Sequence, residues 1–339
     1  MSSEAISVRV PGRVNLIGEW IDFSGGTVLP MPIRSEITLK RTANGSPVDV
    51  IRSAQFGSEA RFDIHAPAMR DWSDAIRGAL QAARAEGWIS GGQDVTVSSD
   101  IPVGQGLSSS AATIVATLKA SRPAGDTDDV ALAQMARAVE NNFMGVPCGI
   151  MDQMAVAVGQ RGHVLALDTR DCSYELLPLP EDWEIIVIRS GVQRELTDGS
   201  YKGRQLECKA AMDVLGTSDL CHADPAEFAR LDGDVAKRAR HVWSEGQRSL
   251  EAVAALKARD RAAFGRLMMA SHSSLRDDMQ VSVPAIDRIV ADALAIGAAG
   301  ARITGAGFGG CVVALVAPES ADAWWTALQA RHPQIARAD

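Results

Sequence analysis

The sequence predicts an α+β protein of two domains. Its 339 residues exceed the size at which one hydrophobic core usually stops growing. Strand-like and helix-like segments are mixed without the regular βαβ alternation of a doubly wound sheet. No internal repeat with a period of about 20 to 50 residues points to a solenoid or propeller instead.

The elements follow from periodicity. Ile6 to Val10 alternates as a strand, and Thr27 to Ile33 and Glu36 to Arg41 read as two more. Asp71 to Glu86 reads as a helix with Trp72, Ile76, Ala79, Leu80 and Ala83 on one face. Asp94 to Ser98 is a short β-branched strand, running into a glycine loop at Gly104 and an apolar helix from Ser109 to Leu118. A helix from Asp129 to Phe143 has capping candidates in Asp126-Thr127-Asp128 and stops at Gly145 and Pro147. A helix over Asp152 to Val158 and strands over Val164 to Leu167 and Ser173 to Leu177 come next. Pro178 to Asp182 has the composition of a linker, which puts the domain boundary at 1–180 and 181–339. Beyond it, Glu184 to Ile188 is a strand, and Lys202 to Val214, Lys237 to Ala258, Asp260 to Ser271 and Pro284 to Ile296 are helices. Strands at Ala301 to Thr304 and Cys311 to Ala317 flank a second glycine loop.

Bulk properties exclude several classes. A net charge of −8 and a pI of about 5.3 repel nucleic acid and anionic membranes, so neither is an expected partner. No stretch approaches the roughly 18 apolar residues of a membrane span, and Met1 to Val8 lacks a signal-peptide layout, so a cytoplasmic protein is expected. A monomer is expected, with a dimer as the alternative. Five scattered cysteines and six scattered histidines form no disulfide framework or zinc pattern.

Four segments carry chemistry. In Pro102-Val103-Gly104-Gln105-Gly106-Leu107-Ser108-Ser109-Ser110-Ala111-Ala112, glycines admit close backbone approach to an anion. The serines and the helix start add donors. The plainer alternative is a turn and a serine-capped helix. The loop lacks the Gly-Lys-Ser/Thr ending of a Walker loop. Gly305 to Gly310 matches Gly-x-Gly-x-x-Gly, but a strand follows it rather than a helix, so a dinucleotide site is excluded on context. Gly12 to Asp22 places Arg13, Glu19 and Asp22 near a turn, as a site or a surface salt bridge. In Cys148 to Gln153, Asp152 either reacts or caps a helix. Glu140, in the last turn of its helix, opposes the dipole unless a cation lies near.

Together these segments resemble the GHMP kinase superfamily, and galactokinases most closely. The signatures Pro11 to Gly26, Pro102 to Ala112 and Thr304 to Gly310 appear in order, with further similar stretches at Cys148 to Gln153, Tyr201 to Glu207 and Phe264 to Val281. The resemblance implies a two-domain GHMP kinase fold, ribosomal-protein-like then ferredoxin-like, with the active site in the cleft. It implies ATP-dependent phosphorylation of a monosaccharide at its anomeric hydroxyl, with ATP and Mg2+ required and galactose the leading substrate. It assigns Asp152 as the catalytic aspartate and Arg13 as the arginine stabilising charge beside it. Gly104, Gly106, Leu107, Ser108, Ser109 and Ser110 match the phosphate loop, and Ser109 (or a neighbouring serine) and Glu140 the magnesium ligands. Glu19, Trp20, Asp22, Gly149 and Tyr201 match positions around the sugar. The chemistry suits these residue types, since phosphoryl transfer asks mainly for positioning and charge stabilisation.

Two departures bear on specificity. Galactokinases usually read Gly-Glu-His-Thr-Asp-Tyr-Asn-Gly-Gly, whereas this chain has Gly18-Glu19-Trp20-Ile21-Asp22-Phe23-Ser24-Gly25-Gly26. Trp20 is bulkier than the family histidine, which contacts the sugar near C6, and its indole donates but cannot accept. Ser190-Gly191-Val192-Gln193-Arg194 replaces an Asn-Val-Lys-His run. L-arabinose, which lacks C6, would suit a pocket narrowed by Trp20, and galacturonate one that gains Arg194. A non-catalytic sugar- and ATP-binding regulator is the alternative of a different class.

Overall fold

The computed structural model describes residues 5–102, 104–192 and 200–338. In chain order the first elements are β1 (Ile6–Asn15), β2 (Thr27–Val28), β3 (Pro30–Ala43), β4 (Val48–Ser53), β5 (Ser58–Asp63), α1 (Asp74–Ala85), β6 (Gln93–Ser99), α2 (Ser109–Ser121), α3 (Asp129–Ala138) and α4 (Met151–Val158). They are followed by β7 (His163–Asp168), β8 (Tyr174–Pro178), β9 (Glu184–Arg189), α5 (Ser200–Leu215), α6 (Gly233–Lys257), α7 (Arg261–Asp277), α8 (Pro284–Ala295), β10 (Gly300–Thr304), β11 (Cys311–Val316), α9 (Ala321–Arg331) and β12 (Ala336–Arg337).

These elements form two compact units. One is drawn from Met1–Arg13, Pro32–Val103 and Leu107–Arg161, the other from Val14–Met31, Gly104–Gly106 and Gly162–Asp339. Pro178 to Asp182, linker-like in composition, lies inside the second unit, where it joins β8 to β9.

The first unit holds a five-stranded sheet in the order β1-β3-β6-β4-β5. β3 pairs with β6 and β4 with β5 antiparallel, while β4 and β6 run parallel. The separate strands expected over residues 27–33 and 36–41 are instead a two-residue β2 and one long β3, because the polar pair Arg34-Ser35 does not break it and Ser35 is buried. The hairpin β4–β5 carries no clear apolar alternation and was not expected from the sequence. α2 is buried along most of its length, so its sequence reads as apolar rather than amphipathic. Its polar residues turn inward on the helix itself: the Thr117 hydroxyl donates to the Thr113 carbonyl at 2.8 Å and Ser121 to Thr117 at 2.7 Å.

Asp128 caps α3 as its place in the Asp126 to Asp128 cluster suggested, accepting from the Ala131 N–H at 2.9 Å. The helix expected to reach Phe143 ends as an α-helix at Ala138, and Val139–Phe143 continue as one π-helical turn. Such turns insert one extra residue and are frequent at functional sites.

The second unit contains a four-stranded antiparallel sheet, β10-β11-β9-β12, and a three-stranded one, β2-β7-β8. Every residue of β10 and β11 is buried, which gives β11 a continuous apolar run rather than alternation, while β10 buries Arg302 and Thr304 as well. α7 packs on β10, and α6 on α7. The register Thr304↔Cys311 makes Gly305 to Gly310 the turn of an antiparallel hairpin, in agreement with the exclusion of a dinucleotide fold. Among the described residues no helix is long and apolar enough to cross a membrane, and no cluster of three metal-binding side chains occurs. The five cysteines are free thiols.

Candidate active site

The serine loop adopts a conformation that few sequences tolerate. Gly104 (φ 71°), Gly106 (φ 75°) and Ser108 (φ 60°) are all left-handed, and the two glycines take it without steric cost. Ser108 occupies the N-cap of α2 but makes no capping bond, and its buried hydroxyl has no partner among the described residues. The serine-capped helix is therefore not what forms; the first N–H groups of α2 are left to something else. Gly12 of β1 lies against this loop so closely that a Cβ would sit 2.8 Å from the Leu107 carbonyl, which accepts from the Arg13 N–H at 3.2 Å.

Next to the start of α2 lies a pocket of about 230 Å3 lined by Ile37, Phe56, Trp72, Val97, Ser109 and Thr113, among others. The Phe56 and Trp72 rings stand 5.6 Å apart at 34°. Sequence reading missed this feature. Phe56 sits in the turn of the unexpected β4–β5 hairpin, and Trp72 was read as part of a helix's apolar face.

In the same unit, Arg13 Nε and Nη2 both donate to Asp152 Oδ1, at 2.8 and 2.5 Å. Arg13 is buried and Asp152 one-third exposed. Asp152 does not cap α4, whose N-cap is Ile150; it sits in the first turn, where the helix dipole favours a carboxylate. Glu140, in the π-helical turn, accepts from Gln153 Nε2 and from the Cys148 thiol at 3.6 Å. The Ser110 hydroxyl lies beside it, buried and without a well-aligned hydrogen bond. Burial pushes the Glu140 carboxyl above its usual range, and the negative charge of Asp152 pushes the same way.

The second unit holds Glu19, Trp20, Asp22 and Tyr201, whereas Gly149 lies in the first unit, two residues before α4. Glu19 is buried: its Oε1 accepts from the Thr304 hydroxyl at 2.9 Å and the Gly305 N–H at 2.7 Å, with Arg302 Nη2 3.2 Å away. Trp20 is also buried, stacked at 4.7 Å on Tyr201 with Phe23 edge-on at 6.5 Å. Its indole N–H has no acceptor among the described residues. Asp22 and Tyr201 are half-buried. Arg194 lies outside the described residues. Beneath Glu19, His241 and Glu245 of α6 form a polar network with no sequence signature.

Comparisons with known proteins agree with this geometry. Residues 74–160 match the GHMP kinases N terminal domain, residues 252–334 the GHMP kinases C terminal domain, and residues 1–39 the galactokinase galactose-binding signature. The chain is 40% identical to a galactokinase of Roseiflexus sp. (strain RS-1), covering 94% of this chain and 85% of that protein. A galactokinase of Chloroflexus aurantiacus is also 40% identical, over 94% and 86% of the two chains. Among solved structures, Lactococcus lactis galactokinase complexed with galactose superposes with a TM-score of 0.91 at 30% identity, over 98% of this chain and 93% of that one. Methanococcus jannaschii mevalonate kinase shares the fold, with a TM-score of 0.73 at 19% identity over 98% of both chains. The chain belongs to the GHMP kinases and, within them, to the galactokinase family. Its two-domain α+β fold is the GHMP kinase fold, and it is an ATP-dependent sugar kinase.

Proposed function

We propose that the protein transfers the terminal phosphoryl group of ATP to the anomeric hydroxyl of D-galactose. The observation that carries this reading is the Arg13–Asp152 pair in the first turn of α4. Arg13 Nε and Nη2 both donate to Oδ1, which orients the Asp152 carboxylate while Oδ2 stays outside that pair. A carboxylate so placed accepts the hydroxyl proton, or orders the hydroxyl for attack. The guanidinium then offsets negative charge that builds up during transfer.

The remaining residues fit the donor. Backbone N–H groups of Gly104, Gly106 and Leu107, with the uncapped start of α2 and the hydroxyls of Ser108 to Ser110, cradle phosphate oxygens. The Phe56–Trp72 pocket is suited to a flat purine base. The donor set also fits Mg2+: Glu140 is a buried carboxylate with no cationic partner among its described contacts, and the Ser110 hydroxyl lies beside it without a well-aligned hydrogen bond. Ser110 is favoured over Ser109 because its hydroxyl lies beside the Glu140 carboxylate. A bound Mg2+ would neutralise phosphate charge during transfer. Trp20, Asp22, Gly149 and Tyr201 are the residues assigned to reading the sugar hydroxyls.

ADP release from MgATP with D-galactose, L-arabinose and D-galacturonate tests the reading. Galactose is expected to give the highest kcat/KM. Nucleotide binding without ADP release on any of the three would favour the regulator instead.

A further inference from the structure

The turn Gly18 to Asp22 is anchored at three points from inside the second unit. Glu245 Oε1 accepts from the Gly18 N–H at 2.9 Å. His241 Nε2 meets the Glu19 carbonyl at 3.0 Å, which fixes its tautomer, because a carbonyl can only accept. His241 Nδ1 is therefore the acceptor for the Ser274 hydroxyl, 2.9 Å away. The third anchor is the Glu19 carboxylate on Thr304 and Gly305. Glu245 is itself seated by the Ser271 hydroxyl at 2.7 Å and Arg248 Nε at 2.8 Å. Neither His241 nor Glu245 reaches solvent.

Immediately after these anchors the backbone does something unusual. Trp20 takes φ 66°, a left-handed conformation that bulky L residues rarely adopt. Such a residue persists only where its surroundings over-determine it. Fold stability is a weak reason to bury this polar network, since packed aliphatic side chains at the same places would serve as well. What the network supplies is direction: Glu245 fixes the Gly18 N–H and His241 the Glu19 carbonyl, on either side of the Gly18-Glu19 segment.

We infer that His241 and Glu245 are positioning residues for sugar recognition, clamping the Gly18-Glu19 segment so that Trp20 is held left-handed against Tyr201 with Asp22 following in a fixed place. The inference rests on the sugar-contact reading of Trp20, Asp22 and Tyr201. It adds a layer to that reading, since neither residue of the clamp touches the sugar.

The test is steady-state kinetics with D-galactose and MgATP on Glu245→Ala, Glu245→Gln and His241→Gln, each alone and combined with Trp20→Gly, beside Asp22→Asn. Removing a buried hydrogen bond to a charged group should raise the galactose KM about ten- to hundredfold in Glu245→Ala, with the MgATP KM unchanged. Glu245→Gln keeps an acceptor oxygen for Gly18 and should recover most of the loss. In the Trp20→Gly background glycine takes the positive φ without cost, so the increment from either clamp residue should shrink. A parallel rise in both KM values, or increments that simply add, overturns the clamp. Should Glu245→Ala fail to fold, His241→Gln carries the same cycle. If Asp22→Asn leaves the galactose KM unchanged, the sugar reading of the turn falls and the clamp with it. If Asp22→Asn raises it and the clamp variants do not, only the clamp falls.

Discussion

Two buried glutamates, Glu140 in the first unit and Glu245 in the second, are displaced in opposite directions. Burial opposes the charge of both. At Glu140 no cationic group among its described contacts answers it, and Asp152 adds repulsion, so its carboxyl titrates above the usual range. At Glu245, Arg248, His241 and Arg302 outweigh burial and hold the carboxyl at about 2. The difference separates a buried carboxylate whose charge is answered by neighbouring cations from one whose charge is not. On the proposed function, a divalent cation would answer the charge at Glu140.

The sharpest way to break the Glu140 side of this comparison is at the loop. Gly106→Val should reduce MgATP affinity below detection by calorimetry, because a β-branched side chain rejects φ near +75° and blocks backbone approach to phosphate. Unchanged affinity would make the loop structural. Asp152→Asn should leave MgATP binding intact while turnover falls by about 10²–10⁴, the usual range for a general base. Near-normal turnover in the folded variant would remove Asp152 from catalysis.

The Glu245 side can be probed by acid. His241 is held neutral by burial, aided by Arg248 and Arg302 and opposed by Glu245, and its pKa falls to about 4. Unfolded, it would titrate near its ordinary 6.5, so below that pH the unfolded chain binds the extra proton and the folded one does not. Its contribution is complete above pH 6.5 and is lost as pH falls toward 4, on the order of 2 kcal/mol by pH 5. Urea denaturation at pH 7.5 and 5 should show this loss, and His241→Gln should show less of it. An equal loss in both proteins would assign the acid sensitivity elsewhere.

The same contrast governs what was legible in the sequence. Arg13, Asp152 and the serine loop are local motifs, since phosphoryl chemistry needs particular side chains at fixed spacing from glycines and helix starts. The Asp128 cap and the hairpin at Gly305 to Gly310 follow from equally local rules. The π-helical turn around Glu140 left no trace, because an inserted residue changes the backbone count without changing the apolar pattern. Phe56 was invisible for a related reason: β5, with the sequence Ser-Glu-Ala-Arg-Phe-Asp, carries little apolar alternation to announce a strand. His241 and Glu245 lie more than 200 residues from the peptide they hold, and only the packing of α6 brings them there. α9, rich in alanine and tryptophan near the chain end, was also unread.

The last prediction concerns Trp20, where both lessons meet. The residue departs from the family histidine, is buried on Tyr201 and Phe23, and carries an indole N–H without an acceptor among the described residues. It has no group suited to proton transfer, so its volume and its single donor decide what fits beside it rather than how fast the phosphoryl moves. Histidine tolerates left-handed φ better than tryptophan, so Trp20→His should keep the turn while opening space. A methylene-sized change in a pocket is worth about 1–3 kcal/mol of discrimination. Galactose differs from L-arabinose by the C6 group, so the variant should shift the ratio of kcat/KM values toward galactose by about 10- to 200-fold at most, without abolishing turnover. Were Trp20 only packing, the melting temperature would fall and the galactose-to-arabinose ratio would stay where it was. That outcome would move the basis of sugar choice away from this side chain.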